Sequence, residues 1–590
     1  MYVFTITLPI FSLNMFSFFS KTRNYDFCNS SSSPSPSFHF ENTQTNDVCS
    51  FYDLNPYENK LFSEDTFSHH SNKIKLVHSP TRISTYLAGV LILKHNKTFG
   101  KNKNKMLYKC IPNNPQLPIF LVPYDISLGF SKNISNKYVI FQFTHWNEKH
   151  PHGVIIETIG DVHLLSAFFE YQLYVKHLHV SLKHMTKQTL VSLKSNDEMK
   201  WIDQIKNNPH FHIIDKTKEK EFIFSIDAPT TIDFDDAFSV QRTKEGKWRV
   251  SIYIANVFVW LETLHLWGSC SGRVSTIYLP ETKKTMLPTI LADHLCSLKK
   301  NNERFVFALD LFYTSQGIHI EQDTVFYNAL INVEENFFYD DPLLSQNSHY
   351  LEFLDLSKKI DKQNAMMNEH SLVSFWMMEF NKQCAKNLAK HSNGIFRTTT
   401  PKCSVETLLS SFYNWNNVSG QYTLFSEDVS KLYHCNFCGD KQEPTLYVHI
   451  TSPIRRLVDL LNSIILFKEN NMIDHISAGA LTFVEKWTQN LNHINSSMKN
   501  VKKLQMNCHL VHHCFSNSFV MKETYEGVVF EKILKKNDHF SYMVLIEKLK
   551  LLSTFTTNID LPELSRHTFQ LFLFEEENDL KKKIKVVMIY

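Results

Sequence analysis

The sequence predicts an α+β multidomain chain, in which a mixed α/β body lies between small OB-type β-barrels. Three observations carry that expectation. The chain has 590 residues, room for three or four domains at about 100–200 residues each. Its 43% hydrophobic and 21% charged residues are ordinary for a globular protein and exclude a fibre or a wholly disordered chain. Finally, short β-type runs at both ends enclose a central region with both strand-like and helix-like periodicity.

Taken in order, the first 20 residues, MYVFTITLPIFSLNMFSFFS, are apolar and aromatic. They lack a basic stretch ahead of the apolar run and a small-residue cleavage site, and Pro9 with several Ser, Thr and Asn opposes a membrane span. No membrane partner is therefore expected. Residues 21–80 are rich in Ser, Asn, Pro and His, including the run from Ser30 to Ser37. Such a segment buries little apolar surface, so residues 1–80 are expected to be mostly disordered, low-complexity chain.

From Ile83 to His179, the runs YLAGVLIL (86–93), LPIFLVP (117–123) and YVIFQFTHW (138–146) predict short strands between Asn, Lys, Gly and Pro breakers. Two small barrels fit this length, at 81–135 and 136–215. The mixture of Lys94, Lys97, Phe99, Lys101, Lys103, Lys105 and Tyr108 suits stacking on single-stranded nucleic acid. A solvated lysine-rich loop beside core aromatics explains it equally well. Residues 216–519 form the mixed α/β region, opening on strands (FIFSID, 222–227; WRVSIYIANVFVWL, 248–261) and closing on helical patterns at 457–467 and 478–491. Residues 520–590 return to strands and predict a C-terminal barrel.

The net charge of +3 excludes a global basic field, so nucleic acid would bind through local Lys and Arg clusters. Eleven scattered cysteines in a long chain read as reduced thiols in an intracellular, cytoplasmic setting.

The segment SIDAPTTIDFDDA (225–237) gathers Asp227, Asp233, Asp235 and Asp236 within ten residues. On extended backbone Asp233 and Asp235 share a face, and Pro229 stops the strand that ends at Asp227. A bare acidic run is usually a solvated turn. Here FIFSI before it and AFSV after it embed the acids in core-forming chain, where they need partners or metal. Oxygen-only donors select Mg²⁺ or Mn²⁺ over Zn²⁺. Two such ions could activate water and stabilise a leaving oxygen in phosphodiester hydrolysis.

Further stretches then follow in a recognisable order. IYIANV (252–257), YLPETKKTMLP (278–288) with LCSL (295–298), Tyr339–Asp340, HSLVSFWMMEFN (370–381) with Met377 and Asn381, and YVHITSPIRRLVDLL (447–461) resemble, with the aspartate segment, the RNase II/RNase R (RNB) exoribonucleases. YVIFQFTHWNEKHPHGVIIETIG (138–160) resembles that family's second cold-shock barrel, and the C-terminal strands stand where it carries an S1-like barrel.

The resemblance implies a Mg²⁺-dependent (or Mn²⁺-dependent) 3′→5′ exoribonuclease, a monomer that hydrolyses single-stranded RNA to 5′-mononucleotides. It makes the four aspartates metal ligands, with Asp235, Asp236 and Arg455 catalytic. Arg455 would contact the scissile phosphate. Tyr278, Tyr339 and Arg456 would hold RNA. The rival from another class is a catalytically degenerate RNA-binding protein of the same fold.

The chain departs from the family at Asn256, Leu457, Ser463 and Ile464, and at Ser374 and Phe375, where a Glu pair is usual. Cys435 and Cys438, with Cys508 and His512, could form a Zn²⁺ site, but without a standard partner spacing ordinary thiols are the preferred reading. Cys296 beside His294 reads as scaffold. Lys535–Lys536 and Lys581–Lys583 read as surface lysines or phosphate contacts.

Overall fold

The computed structural model describes residues 15–20, 38–42, 48–49, 55–70, 73–94, 97–126, 134–361, 367–398, 420–426, 446–535, 539–549, 551–575 and 582–589. They fall into two compact units, one of residues 1–179 with 506–590 and one of residues 180–505.

The first unit contains three β systems, of five, six and five strands. The first comprises β1 (Met15–Ser20), β2 (Phe38–Asn42), β3 (Val48–Cys49), β4 (Thr66–His70) and β5 (Lys73–His78) in the order β3-β2-β1-β4-β5. The second comprises β6 (Leu87–Leu91), β7 (Lys101–Asn102), β8 (Lys105–Pro112), β9 (Phe120–Tyr124), β10 (Lys137–His145) and β11 (His152–Asp161). Its ladders β6–β8, β8–β9, β9–β11, β11–β10 and β10–β6 close a ring, with β9 and β11 parallel. Closure leaves those five strands no free edge, and the short β7 pairs on β8 outside the ring. Phe62, Phe120, Phe141, Val122 and Val139 fill the barrel. Gly89 sits where β6 approaches β8 so closely that a Cβ would lie 2.8 Å from the Ile111 carbonyl oxygen. The third system comprises β23 (Thr524–Leu534), β24 (Phe540–Ile546), β25 (Leu551–Thr557), β26 (Arg566–Glu575) and β27 (Lys582–Ile589), again ordered third-second-first-fourth-fifth.

Two expectations need correcting. Residues 15–78 contain five strands, so the expectation of disorder across 1–80 fails for its described part. Composition measures what a segment buries alone, whereas here strand pairing supplies the partner. The barrel boundaries also move: one ring spans residues 87–161, while 165–175, 183–193 and 198–206 are helices. Tyr108, considered for base stacking, is 3% exposed and belongs to that ring's core. Phe99 lies under Lys97 and Lys109.

The second unit is built on a seven-stranded sheet. Its strands are β12 (Ile213–Asp215), β13 (Phe224–Asp227), β14 (Asp236–Arg242), β15 (Trp248–Ala255), β18 (Glu303–Tyr313), β19 (Val325–Asn332) and β20 (Glu335–Phe338), in the order β12-β19-β18-β15-β14-β13-β20. Separate ribbons pair β16 (Ile277–Tyr278) with β17 (Lys283–Lys284) and β21 (Ile395–Thr398) with β22 (Gln421–Leu424). β15 and β18 are buried along almost their whole length, as expected for central strands covered on both faces. Phe353, from the helix Ser348–Ile360, packs on Phe224 and Phe238 and stacks on Trp376 of the helix Glu369–Lys390. This packing anchors β13 and β14, the two strands between which the aspartates lie. Among the described residues no helix is long and apolar enough to cross a membrane.

Candidate active site

The four aspartates occupy one end of the β13–β14 hairpin. Asp227 closes β13, Asp236 opens β14, and Asp233 and Asp235 lie on the connection. Pro229 has no N–H to continue a ladder, so the chain leaves the sheet. The connection is then clamped from LCSL: Ser297 Oγ donates to the Ile232 carbonyl (3.0 Å) and accepts from the Phe234 N–H (3.0 Å), and the Leu298 N–H donates to the Phe234 carbonyl (3.0 Å). The motif that the sequence marks only as scaffold therefore fixes the acid-bearing loop.

TSPIRR approaches from a different part of the chain. The Ile454 N–H donates to Asp235 Oδ1 (3.1 Å) and Arg455 Nε to Asp235 Oδ2 (2.8 Å). Asp459, one turn into the helix Leu457–Glu469, accepts from the Ser452 N–H (2.8 Å) and from Arg456 Nη2 (2.8 Å). Asn381 accepts from the Ile450 N–H (3.1 Å) and donates to Tyr447 Oη (3.0 Å). These contacts hold the turn so that neighbouring arginines diverge.

Asp227, Asp233, Asp235, Asp236, Tyr278, Tyr339, Lys283 and Arg455 line one cleft of about 590 Å³. Arg456 is absent from that lining; its guanidinium is bound to Asp459 and Ser452. The Tyr339 N–H donates to the Asp227 carbonyl (2.9 Å), and its ring stacks on His370 with centroids 3.7 Å apart. Tyr278 is held through its N–H to Gln505 Oε1 (3.2 Å).

The site is electrostatically costly. Burial pushes the carboxyls of Asp227 and Asp235 up to about 7, because desolvation disfavours the charged form. Burial, and then the charge of Asp227, pushes Asp236 up to about 8. Arg455 works against the shift on all three. Burial likewise pushes the Tyr278 hydroxyl up to about 12, leaving it protonated at neutral pH. Asp227 Oδ2 and Asp233 Oδ2 are buried with no hydrogen-bond partner among the described residues. Unsatisfied buried carboxylate oxygens are rare and call for a cation or proton.

An all-oxygen donor set with two open carboxylate oxygens fits a hard divalent ion. Yet among the described residues no three His, Cys, Asp or Glu side chains converge closely enough to hold one. Arg455 and Lys283 already draw Asp235 and Asp233 to themselves.

Lys283 was not singled out from the sequence. Its Nζ lies 2.9 Å from Asp233 Oδ1 and 3.2 Å from Asp293 Oδ1. Neither lysine spacing nor periodicity signals this contact; like Asp459 in YVHITSPIRRLVDLL, Lys283 stands inside a quoted motif, YLPETKKTMLP, without a role. Among the departures, Asn256 caps the helix Val257–Thr263 and donates to Asn328 Oδ1 (3.1 Å). Leu457 is buried. Burial pushes the Cys296 thiol up to about 12, which suits scaffold rather than nucleophile. Cys435 and Cys438 lie outside the described residues; Cys508 is an unpaired buried thiol.

A cleft of buried acids with one arginine and two tyrosines defines a class of site suited to phosphodiester chemistry. The comparisons agree with that class. The RNB domain family matches residues 216–347. Ribonuclease R of Chlamydia pneumoniae is 22% identical over 421 residues, covering 59% of this chain and 60% of that protein. Exoribonuclease 2 of Enterobacter sp. (strain 638) is 37% identical over 118 residues, covering 20% of this chain and 18% of its own. These alignments thus span less than two thirds of the curated relatives. The apo form of Mycoplasma genitalium RNase R superposes with a TM-score of 0.61 at 15% identity, covering 97% of this chain and 100% of that one. Yeast Ssd1, described as a pseudonuclease, superposes with a TM-score of 0.53 at 12% identity over 81% and 65%. At such identities the superpositions speak to fold. Residues 216–347 thus carry the RNB domain match, and the chain is similar, at low identity, to ribonuclease R and exoribonuclease 2.

Proposed function

We propose that this protein is a 3′→5′ exoribonuclease that hydrolyses single-stranded RNA to 5′-mononucleotides with Mg²⁺, or Mn²⁺, as cofactor. The observation that carries the reading is the assembly of Asp227, Asp233, Asp235, Asp236 and Arg455 in one cleft. The fold alone does not carry it, because a pseudonuclease shares that fold. Direction and product rest on the family resemblance.

Asp227, Asp233 and Asp236 would hold the divalent ion, with Asp235 fixing the arginine beside them. The chemistry such an ion supplies when bound is neutralisation of phosphate charge and acidification of water. Arg455, its side chain 44% exposed, presents a guanidinium to the scissile phosphate and stabilises charge that develops there. Tyr278 and Tyr339 offer rings for the terminal bases, and stacking accepts every base, which fits degradation without sequence preference. Arg456 supports the reading indirectly, by holding the turn that presents Arg455. The unpaired thiols fit a reducing, cytoplasmic compartment, and a monomer acting on RNA is sufficient for this chemistry.

The rival reading, an RNA-binding protein without turnover, draws on the pseudonuclease that shares this fold. Incubating 3′-labelled single-stranded RNA with Mg²⁺ and protein separates the two. Wild type should release the label as mononucleotide, and Asp235→Asn should not. Binding without cleavage by both proteins would establish the rival.

A further inference from the structure

We infer that Lys283 is a resident counter-ion of the cleft, an ammonium that any divalent ion must displace from Asp233. This rests on the reading of the aspartates as ligands of that ion, and deepens it.

The argument begins with the ribbon. β16 and β17 are joined by a short turn and pair Ile277 with Lys284 and Tyr278 with Lys283. Residues directly opposite on an antiparallel pair share a face, so the register that brings Tyr278 to the cleft brings Lys283 too. Both line it. The Lys283 ammonium lies between Asp233 and Asp293. Asp233 consequently has one oxygen engaged and the other, Oδ2, buried without a partner. That half-satisfied state distinguishes Asp233 from Asp235, both of whose oxygens accept from the TSPIRR turn.

Lysine suits this task better than arginine. Its ammonium is a point charge on a flexible stem, so it can leave one oxygen for another without losing a bidentate geometry. Asp293, only 9% exposed, offers a second carboxylate to retain the displaced ammonium. Withdrawal of Lys283 from Asp233 and entry of a cation are then coupled. Without the ammonium, mutual repulsion of the acids would rise in the metal-free protein.

The test uses full-length protein and two readouts besides turnover. Isothermal titration with Mg²⁺ and Mn²⁺ compares wild type, Lys283→Met and Lys283→Arg. Thermal unfolding is followed in EDTA and in excess Mg²⁺. Removing the competitor should tighten divalent binding about tenfold in Lys283→Met, while Lys283→Arg stays near wild type or weaker. Lys283→Met should melt lower than wild type in EDTA and recover more of that deficit in Mg²⁺. Unchanged or weaker divalent binding by a folded Lys283→Met would overturn the inference while leaving the ligand reading intact. If neither wild type nor variant binds a divalent ion, the ligand reading fails and this inference with it. Should Lys283→Met not fold, Asp293→Asn provides the second route. Loss of the retaining carboxylate should weaken divalent binding, and tighter or unchanged binding would overturn the proposal.

Discussion

The two ends of the β13–β14 hairpin both bury carboxylates, and they treat them in opposite ways. At one end Glu221 accepts from Ser239 Oγ (2.6 Å) and Arg249 Nη2 (3.0 Å), with Lys216 Nζ 3.5 Å away. Burial pushes its carboxyl up, but Lys216, Ser239 and Arg249 more than offset that and hold it below the ordinary glutamate value. At the other end, burial wins: Asp227, Asp235 and Asp236 are held above the ordinary aspartate value despite Arg455. The same sheet can therefore satisfy a buried acid fully where only structure is at stake. The acids it leaves underserved are the ones facing the cleft, where the proposed divalent ion would complete them.

The comparison is sharpened first by activity. Asp235→Asn should lower RNA hydrolysis on the order of 10³-fold or more while RNA binding persists, measured by single-turnover release of 3′ label beside filter binding. Next, Arg455→Ala should reduce kcat by roughly 10²–10³-fold with a much smaller change in RNA affinity. An equal loss in both would mean Arg455 only positions substrate.

Glu221→Ala tests the opposite end. Breaking the buried pair leaves Lys216 with only Glu219 and Arg249 with only the neutral Gln241, so stability should fall by about 3 kcal/mol in chemical denaturation. Turnover per folded molecule should stay within about twofold of wild type. A selective loss of turnover there would erase the distinction between the two ends.

The smallest effect concerns pH. A carboxyl whose folded pKa is raised contributes stability that is present below its unfolded pKa and lost as pH rises through the folded value. For Asp227 and Asp235, near 7, and Asp236, near 8, that loss runs from the ordinary carboxylate range to just above neutrality. In EDTA, the melting temperature should drop by about a few degrees between pH 5 and pH 8.5. Mg²⁺ should restore it at the alkaline end, and Asp236→Asn should flatten the dependence. A metal-free protein that gains stability across that range would contradict the assignment.

Much of the site was legible before any fold was known. Asp227, Asp233, Asp235, Asp236, Tyr278, Tyr339 and Arg455 were all named from motifs, and all seven line one cleft. Arg456 was named with them but turns to Asp459, because which way an arginine points depends on the turn that carries it. Lys283 escaped notice since its partner Asp233 is fifty positions away. The helices after β11 and the strands within residues 15–78 were missed for a related reason: composition and short-range periodicity do not report which partner a strand will find.

By itself the sequence determined the chemistry on offer: four acids around a proline break, an arginine turn, and apolar strands that oblige the acids to be buried. Those are properties of residue type and near-neighbour spacing. The tertiary structure decided which acids receive an internal cation and which are left open, since Coulomb interactions and desolvation depend on distances between segments that chain order does not fix. It also decided where each barrel closes, because closure is a pairing between strands distant in the chain.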